Sequence, residues 1–298
     1  MTKPSVSIGI TAFNEERTIK SLLNSLLNQQ ELNFRLKEII VISDGCTDAT
    51  TIQVRQVKSK KLFLIDDQKR QGKTARLNQL FKSLTGDIII FADADISLAN
   101  DTVIDEMVKV FLSHPDTGLV SARIYPKQPK TFLGNAVFAS VNAYVSYAES
   151  INNGNNIYTC KGPLIGLSKR FARKTIIPHN IFAGDAYLYF SCISRGFKYL
   201  YTKNAVVYYH LPQVLSEHLK QNARFESADQ NLVPIFGDLV DREFKKNTGI
   251  FYQALLSEFI RHPVYSLAIM LINLYGRIQV KLSPQNIYPK WSIAKSTK

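Results

Sequence analysis

The chain has 298 residues, 37 of them Lys or Arg and 24 Asp or Glu, giving a formal net charge of +13, with 45% hydrophobic residues and three cysteines. That length buries a sizeable core, and its hydrophobic, aromatic, Gly and Pro contents exclude a disordered, collagen-like or low-complexity chain. Cys46, Cys160 and Cys192 stand too far apart for a disulfide framework or a CxxC zinc site, so a reducing, cytoplasmic setting is expected.

The amino-terminal run enters a strand without the cationic and apolar regions of a signal peptide, so secretion is not expected. SVSIGITA, EIIVIS, KLFLI, DIIIFAD and GLVSARI are short runs rich in Val and Ile that read as strands. Between the first two, Ile19, Leu22, Leu23, Leu26 and Leu27 recur at helical spacing, and a further helix is expected after Asn100. This alternation predicts an α/β fold with a mostly parallel central sheet, whose ligands bind beyond the carboxyl ends of the strands.

From residue 131 the pattern lengthens. Residues 131–148 carry no charge, and Gly134, Asn135 and Asn142 interrupt the run, which reads as a buried or half-buried helix rather than a membrane span. Residues 263–276 are also uncharged; 14 residues at ~1.5 Å each cover roughly 21 Å, short of a ~30 Å hydrocarbon core. Arg261, His262 and Arg277 flank them, which leaves a core helix and a membrane-interfacial helix both open.

Five features fall where strands end. Thr11, Ala12, Asn14 and Glu15 form the turn after the first strand, where backbone amides and short polar side chains can hold a base or ribose; Asn14 also reads as a helix cap. Asp44, in SDGCTD, can accept hydrogen bonds from a base or simply make a turn, with Asp48 capping the next helix. Gly72-Lys73-Thr74 is not a P-loop, because Asp67 stands where that motif needs glycine, but Lys73 can approach a phosphate or be an ordinary solvated lysine. Asp93 and Asp95, after an apolar strand, suit a hard divalent cation that keeps room for phosphate oxygens. The fifth feature pairs Asp185, one of two acids between residues 131 and 210, with Gln221 and Arg224, which share a helix face at a spacing of three. Arg224 can grip a diphosphate bidentately.

In this order, TAFNEE, SDGCTDAT, GKTARLN, DAD, GDAYL and QNARF resemble the motif set of the family 2 glycosyltransferases, over residues 4–225. SDGCTDAT is similar to DDGSTDGT, GKTARLN to GKxxALN, DAD to DxD, GDAYL to EDxxL and QNARF to QxxRW. The resemblance implies a GT-A fold and metal-dependent, inverting transfer of a sugar from a nucleoside diphosphate to an acceptor hydroxyl of a glycan or lipid-linked molecule. It implies that Asp185 is the base, that Asp95 ligates Mg²⁺ or Mn²⁺ with His210 as a candidate further ligand, and that Asp93 lies near the ribose and diphosphate. Phe225 replaces the usual Trp, keeping an aromatic face without the indole donor. Gly162, in CKGP, is placed on the acceptor side, although a simple turn fits the same residues. Residues 1–230 would form the catalytic domain, with a nucleotide half to 125 and an acceptor half after it, and 231–298 a helical extension open to the membrane interface. The alternative is a nucleotide-binding pseudoenzyme or a peripheral membrane scaffold whose basic second half docks on anionic lipid; retention of DAD and Asp185 speaks against it.

The charge sharpens this reading. Residues 1–130 contribute +3, 131–210 contribute +6 and 211–298 contribute +4, so most of the excess lies outside the nucleotide half. With no helix-turn-helix, zinc-finger or RNP-type signature, nucleic acid is not the expected partner. The excess can instead face a diphosphate through Arg224 and, beside residues 263–276, an anionic membrane or a lipid-linked acceptor.

Overall fold

The computed structural model describes residues 2–181, 183–219 and 231–282. It divides into two compact units, one made of residues 1–125 and 155–209, the other of 126–154 and 210–297.

In the first unit, β1 (Ser5–Ala12), β4 (Ile88–Asp93) and the second half of β2 (Arg35–Asp44) are buried almost throughout, as strands covered on both faces must be, with unbroken apolar runs at Ile39–Ile42 and Ile88–Ala92. Together with β3 (Leu62–Asp67) they pair in parallel. The connections run through α1 (Ile19–Leu27), α2 (Thr50–Gln56) and α3 (Lys73–Ser83). The remaining strands are β5 (Ser97–Leu98), β6 (Thr117–Pro126), β7 (Leu164–Ser168) and β8 (Lys198–Tyr209). They extend the sheet to eight strands in the order β3-β2-β1-β4-β7-β6-β8-β5, with β7 antiparallel to both β4 and β6. Leu22, Leu23 and Leu26 of α1, and Met107, Val108 and Phe111 of α4 (Val103–Ser113), recur at helical spacing and share one core with Ile8, Ile10, Ile90 and Val120 of the sheet. Two further helices, numbered below, follow β7.

The register of the parallel block decides where chemistry can happen. Ala12 pairs with Ser43, Asp44 with Asp67 and Thr11 with Asp93, so β1, β2, β3 and β4 end together. Three of those four strands end on an acid. They do so at the carboxyl edge, where open α/β sheets receive ligands.

In the second unit, α5 (Phe132–Ser150) begins at Thr131, whose hydroxyl accepts the Gly134 N–H at 3.0 Å. The first unit then supplies α6 (Lys169–Ala172) and α7 (Gly184–Ser194). Later in the second unit come α8 (Val233–Phe236), α9 (Asp238–Glu243), α10 (Thr248–Arg261) and α11 (Pro263–Leu282). α5 packs against both α10 and α11: the Tyr147 and Phe251 rings meet edge to face at 5.4 Å, and those of Phe132 and Tyr265 lie tilted at 5.3 Å. The uncharged 131–148 run is thus a helix that the rest of its unit covers. Among the described residues no helix is long and apolar enough to cross a membrane.

Candidate active site

The two turns read as nucleotide motifs are one laced structure. Asn14 adopts a left-handed backbone, φ 54°, and its side chain does not cap α1, which starts five residues later. Instead its Oδ1 accepts the Thr47 N–H at 2.8 Å, its Nδ2 donates to Thr47 Oγ1 at 3.1 Å, and its backbone N–H donates to Cys46 Sγ at 3.3 Å. The Glu15 N–H donates to Thr50 Oγ1 at 2.7 Å, and the Glu16 carboxylate accepts the Ala49 N–H at 2.9 Å. Asp48 accepts the Thr50 N–H at 3.0 Å in front of α2. Gly45, at φ 69°, packs against the loop after β3: its N–H donates to the Asp67 carbonyl at 2.8 Å and a Cβ would lie 2.8 Å from the Arg70 nitrogen, so only glycine fits. The Arg70 guanidinium stacks 3.9 Å from the centre of the Phe13 ring.

Asp44 is buried and held by the chain itself. Its Oδ1 accepts the Gln71 N–H at 2.7 Å and Arg76 Nε at 2.7 Å, and its Oδ2 accepts the Gly72 N–H at 2.8 Å. Gly72 can present that N–H because its φ is 91°. Arg76, buried although it lies on α3, spreads its fork over four partners: Asp44, Asp67 at 2.6 Å, the Lys69 carbonyl at 2.6 Å and Gln79 Oε1 at 3.0 Å. Burial pulls the guanidinium pKa down, but Asp67 and Asp44 outweigh it and raise it above its ordinary value. The Asp67 carboxyl is held below its usual range by the Lys69 N–H and by Arg76. Of the four lone-pair sites of a carboxylate, three on Asp44 are thus taken by the protein.

Beside this lies the DxD segment. Ala92, Ala94 and Ile96 are buried while Asp93 and Asp95 are half-buried, so the two carboxylates leave the core together. Asp93 is ion-paired with Lys73 from the start of α3. The Asp93 N–H donates to the Pro163 carbonyl at 2.9 Å, which brings the CKGP segment alongside. The Gly162 N–H donates to Asp185 Oδ2 at 3.1 Å, and the Ala186 N–H donates to Asp185 Oδ1 at 2.9 Å in the first turn of α7. A Cβ on Gly162 would sit 3.7 Å from Asp185 Oδ2 and 3.9 Å from Lys73 Nζ. Asp93, Lys73, Gly162 and Asp185, up to 112 residues apart in the sequence, therefore converge.

Asn78 anchors the approach to α7: its Nδ2 donates to the Ile177 carbonyl at 2.7 Å and its Oδ1 accepts the Ile177 N–H at 2.9 Å. Thr74 Oγ1 adds a hydrogen bond to the Ile181 carbonyl at 3.2 Å. Sequence reasoning assigned no role to Arg76, Asn78 or Arg70. Arg76 had a visible signal, since it stands at the alanine of GKxxALN; Asn78 is the asparagine of that motif, and nothing local marks Arg70. His210 directly follows β8 and is exposed, with its pKa lowered by partial desolvation and by Lys127. Gln221, Arg224 and Phe225 lie outside the described residues.

Among the described residues no group of three or more His, Cys, Asp and Glu gathers. Two half-buried carboxylates are too few for a structural zinc site, but they fit a hard cation that draws its other ligands from phosphate and water.

The sequence profile described as Glycosyl transferase family 2 matches residues 7–175, more than half of the chain. Poly-beta-1,6-N-acetyl-D-glucosamine synthase of Staphylococcus aureus (strain COL) is 25% identical over 242 residues, covering 75% of this chain and 56% of that protein. Its Staphylococcus epidermidis counterpart is 26% identical over 167 residues, covering 52% and 38%. The match thus spans little more than half the length of the Staphylococcus aureus relative and 38% of the Staphylococcus epidermidis one. Among solved structures, the mannosyltransferase PcManGT from Pyrobaculum calidifontis, in complex with GDP-Man and Mn²⁺, is similar with a TM-score of 0.60 at 17% identity, over 98% of this chain and 84% of that one. Glucosyl-3-phosphoglycerate synthase from Mycobacterium tuberculosis, in complex with Mn²⁺, UDP and phosphoglyceric acid, follows at a TM-score of 0.55 and 18% identity, over 78% of each chain. The fold is the expected GT-A fold. With its strand-end motifs in order and more than half its length matched, the chain belongs to glycosyltransferase family 2.

Proposed function

We propose that this glycosyltransferase moves a sugar from a nucleoside diphosphate to an acceptor hydroxyl with inversion at the anomeric carbon. The observation that carries the reading is the convergence of the Lys73–Asp93 pair with Gly162 and Asp185. In this reading the turn of Thr11, Ala12, Asn14 and Glu15, together with Asp44, holds the nucleoside, and Asp93 lies near the ribose and diphosphate. Lys73, Gln221 and Arg224 face the diphosphate. Gly162 and Phe225 line the acceptor side, where a glycan or a lipid-linked molecule presents its hydroxyl.

As the acceptor oxygen bonds to the anomeric carbon, the bond from that carbon to the diphosphate breaks and the diphosphate leaves with the electron pair. Asp185, held by two backbone N–H groups, takes the hydroxyl proton. Lys73 stabilises the negative charge that grows on the leaving group. Asp95, with His210 as a further ligand, would hold Mg²⁺ or Mn²⁺, which supplies Lewis-acid stabilisation of that same charge. The complexes of PcManGT with GDP-Man and Mn²⁺, and of the mycobacterial synthase with Mg²⁺ and UDP, support a nucleotide donor and a divalent cation.

Asp185→Asn tests the base. Donor affinity is expected to stay, and transfer to fall by ~10²–10⁴-fold; near-normal turnover removes Asp185 from the role. Asp95→Ala tests the cation through donor binding rather than turnover. Affinity should no longer respond to Mn²⁺, and a Mn²⁺-dependent affinity equal to that of the wild type sinks the assignment.

A further inference from the structure

α10 and α11 face the wrong way for helices in water. Toward α5, beside Ala254, Ile269 and the Phe251 and Tyr265 rings, they also bury polar groups: Glu258 and Ser266 are buried, Asn142 Nδ2 donates to Glu258 Oε1 at 3.5 Å, and Ser266 Oγ donates to the Glu258 carbonyl at 3.4 Å. Asn273 is engaged with the buried His218 at 3.1 Å. Outward they present Leu256, Ile260, Val264, Met270, Leu271 and Leu274, each more than half exposed. Of the 22 large hydrophobic residues exposed in the described protein, twelve lie between Tyr252 and Ile278. A solvated amphipathic helix shows the opposite arrangement, leucines inward and the glutamate outward. So dense an apolar face marks an interaction surface.

Charge identifies what covers it. Between residues 244 and 282 Glu258 is the sole acid, and it points inward. The exposed cations described there are Lys245 and Lys246 before α10, Arg261 at the turn, and Arg277 beyond the uncharged run. An apolar field with cations at its ends complements a medium that is apolar within and anionic at its edge. The uncharged run is too short to span that medium, so the helices lie along it. We propose that the outward face of α10 and α11 is a docking surface for an anionic phospholipid leaflet, seated at the boundary between headgroups and acyl chains. The proposal goes beyond the transferase reading and stands without it.

Flotation of the full chain with vesicles tests it, using equimolar phosphatidylglycerol and phosphatidylcholine against phosphatidylcholine alone. The wild-type protein should float with the anionic vesicles and lose binding as salt rises. Leu256→Glu combined with Leu271→Glu should cut binding by ~10-fold or more, with circular dichroism and nucleoside diphosphate affinity unchanged to show that the chain is folded. Arg261→Gln combined with Arg277→Gln should weaken binding to the anionic vesicles by about five-fold per residue and leave the weak binding to phosphatidylcholine. The proposal is overturned if the wild-type protein stays at the bottom of both gradients, whether light scattering then shows a monomer or a dimer closed by a second copy. It is equally overturned if the double glutamate variant floats as well as the wild type.

Discussion

The carboxylate of Asp44 at the end of β2 and the guanidinium of Arg76 on α3 meet at 2.7 Å with both side chains withdrawn from solvent. Through this pair the strand end, the loop that follows β3 and the first turns of α3 become one rigid body. In the proposed reading the same pair shapes the side of the site that holds the nucleoside.

Removing one partner of a buried ion pair leaves the other charge stranded. Arg76→Met is therefore expected to lower stability by about 3–5 kcal/mol, measured by urea unfolding. Arg76→Lys should recover little of this, because a point charge cannot reach Asp44, Asp67 and the Lys69 carbonyl at once. A lysine variant as stable as the wild type would show that the fork geometry is dispensable.

Asn78 acts at a distance from the proposed base. Its two hydrogen bonds to Ile177 tether the segment that leads into α7, and Asp185 lies in the first turn of that helix. Asn78→Ala is expected to lower kcat by roughly 10–100-fold through displacement of Asp185, with donor KM nearly unchanged. Equal changes in kcat and donor affinity would place Asn78 in donor binding instead.

The three thiols should react differently. Burial pushes Cys192 up to about 12, and burial together with the nearby Asp185 charge pushes Cys160 well above the usual thiol range. Cys46 is half-buried, touching the Asn14 N–H and the Ala12 carbonyl. A disulfide reagent should therefore label one thiol per native chain, at Cys46, and all three only after unfolding. A nucleoside diphosphate should slow that labelling, and the labelled protein should lose donor affinity.

Acid should destabilise the second unit before carboxylates titrate. Burial lowers the His218 pKa, and the hydrogen bond with Asn273 only partly offsets it. His210 is shifted in the same direction. An imidazole whose folded pKa lies below its unfolded 6.5 leaves stability intact above that pH. Stability then falls as pH drops below it, because the unfolded chain takes up the proton first. The thermal midpoint should fall between pH 7.5 and 5.5, and His218→Gln should flatten that fall. The carboxyls of Glu31, Glu38 and Asp87, held below their usual values, act only in a more acidic window.

Much of this was legible in the chain. Alternating Val/Ile runs and helical spacing defined the α/β fold, because burial on both faces of a parallel strand demands unbroken apolar runs. Motifs at strand ends placed Asp44 and Asp93, because in-register parallel strands finish at one edge; Asp185, expected at a strand end too, lies instead in the first turn of α7. Local pattern could not show that Arg76 would leave solvent to bridge Asp44 and Asp67, or that Asn78 would clasp Ile177, 99 residues away. Such contacts depend on which surfaces the folded sheet and helices bring together. Nor could periodicity decide the 263–276 run: spacing tells which residues share a helix face, and only packing against α5 decided that Ser266, Ile269 and the Tyr265 ring turn inward while Leu267, Leu271 and Leu274 face out.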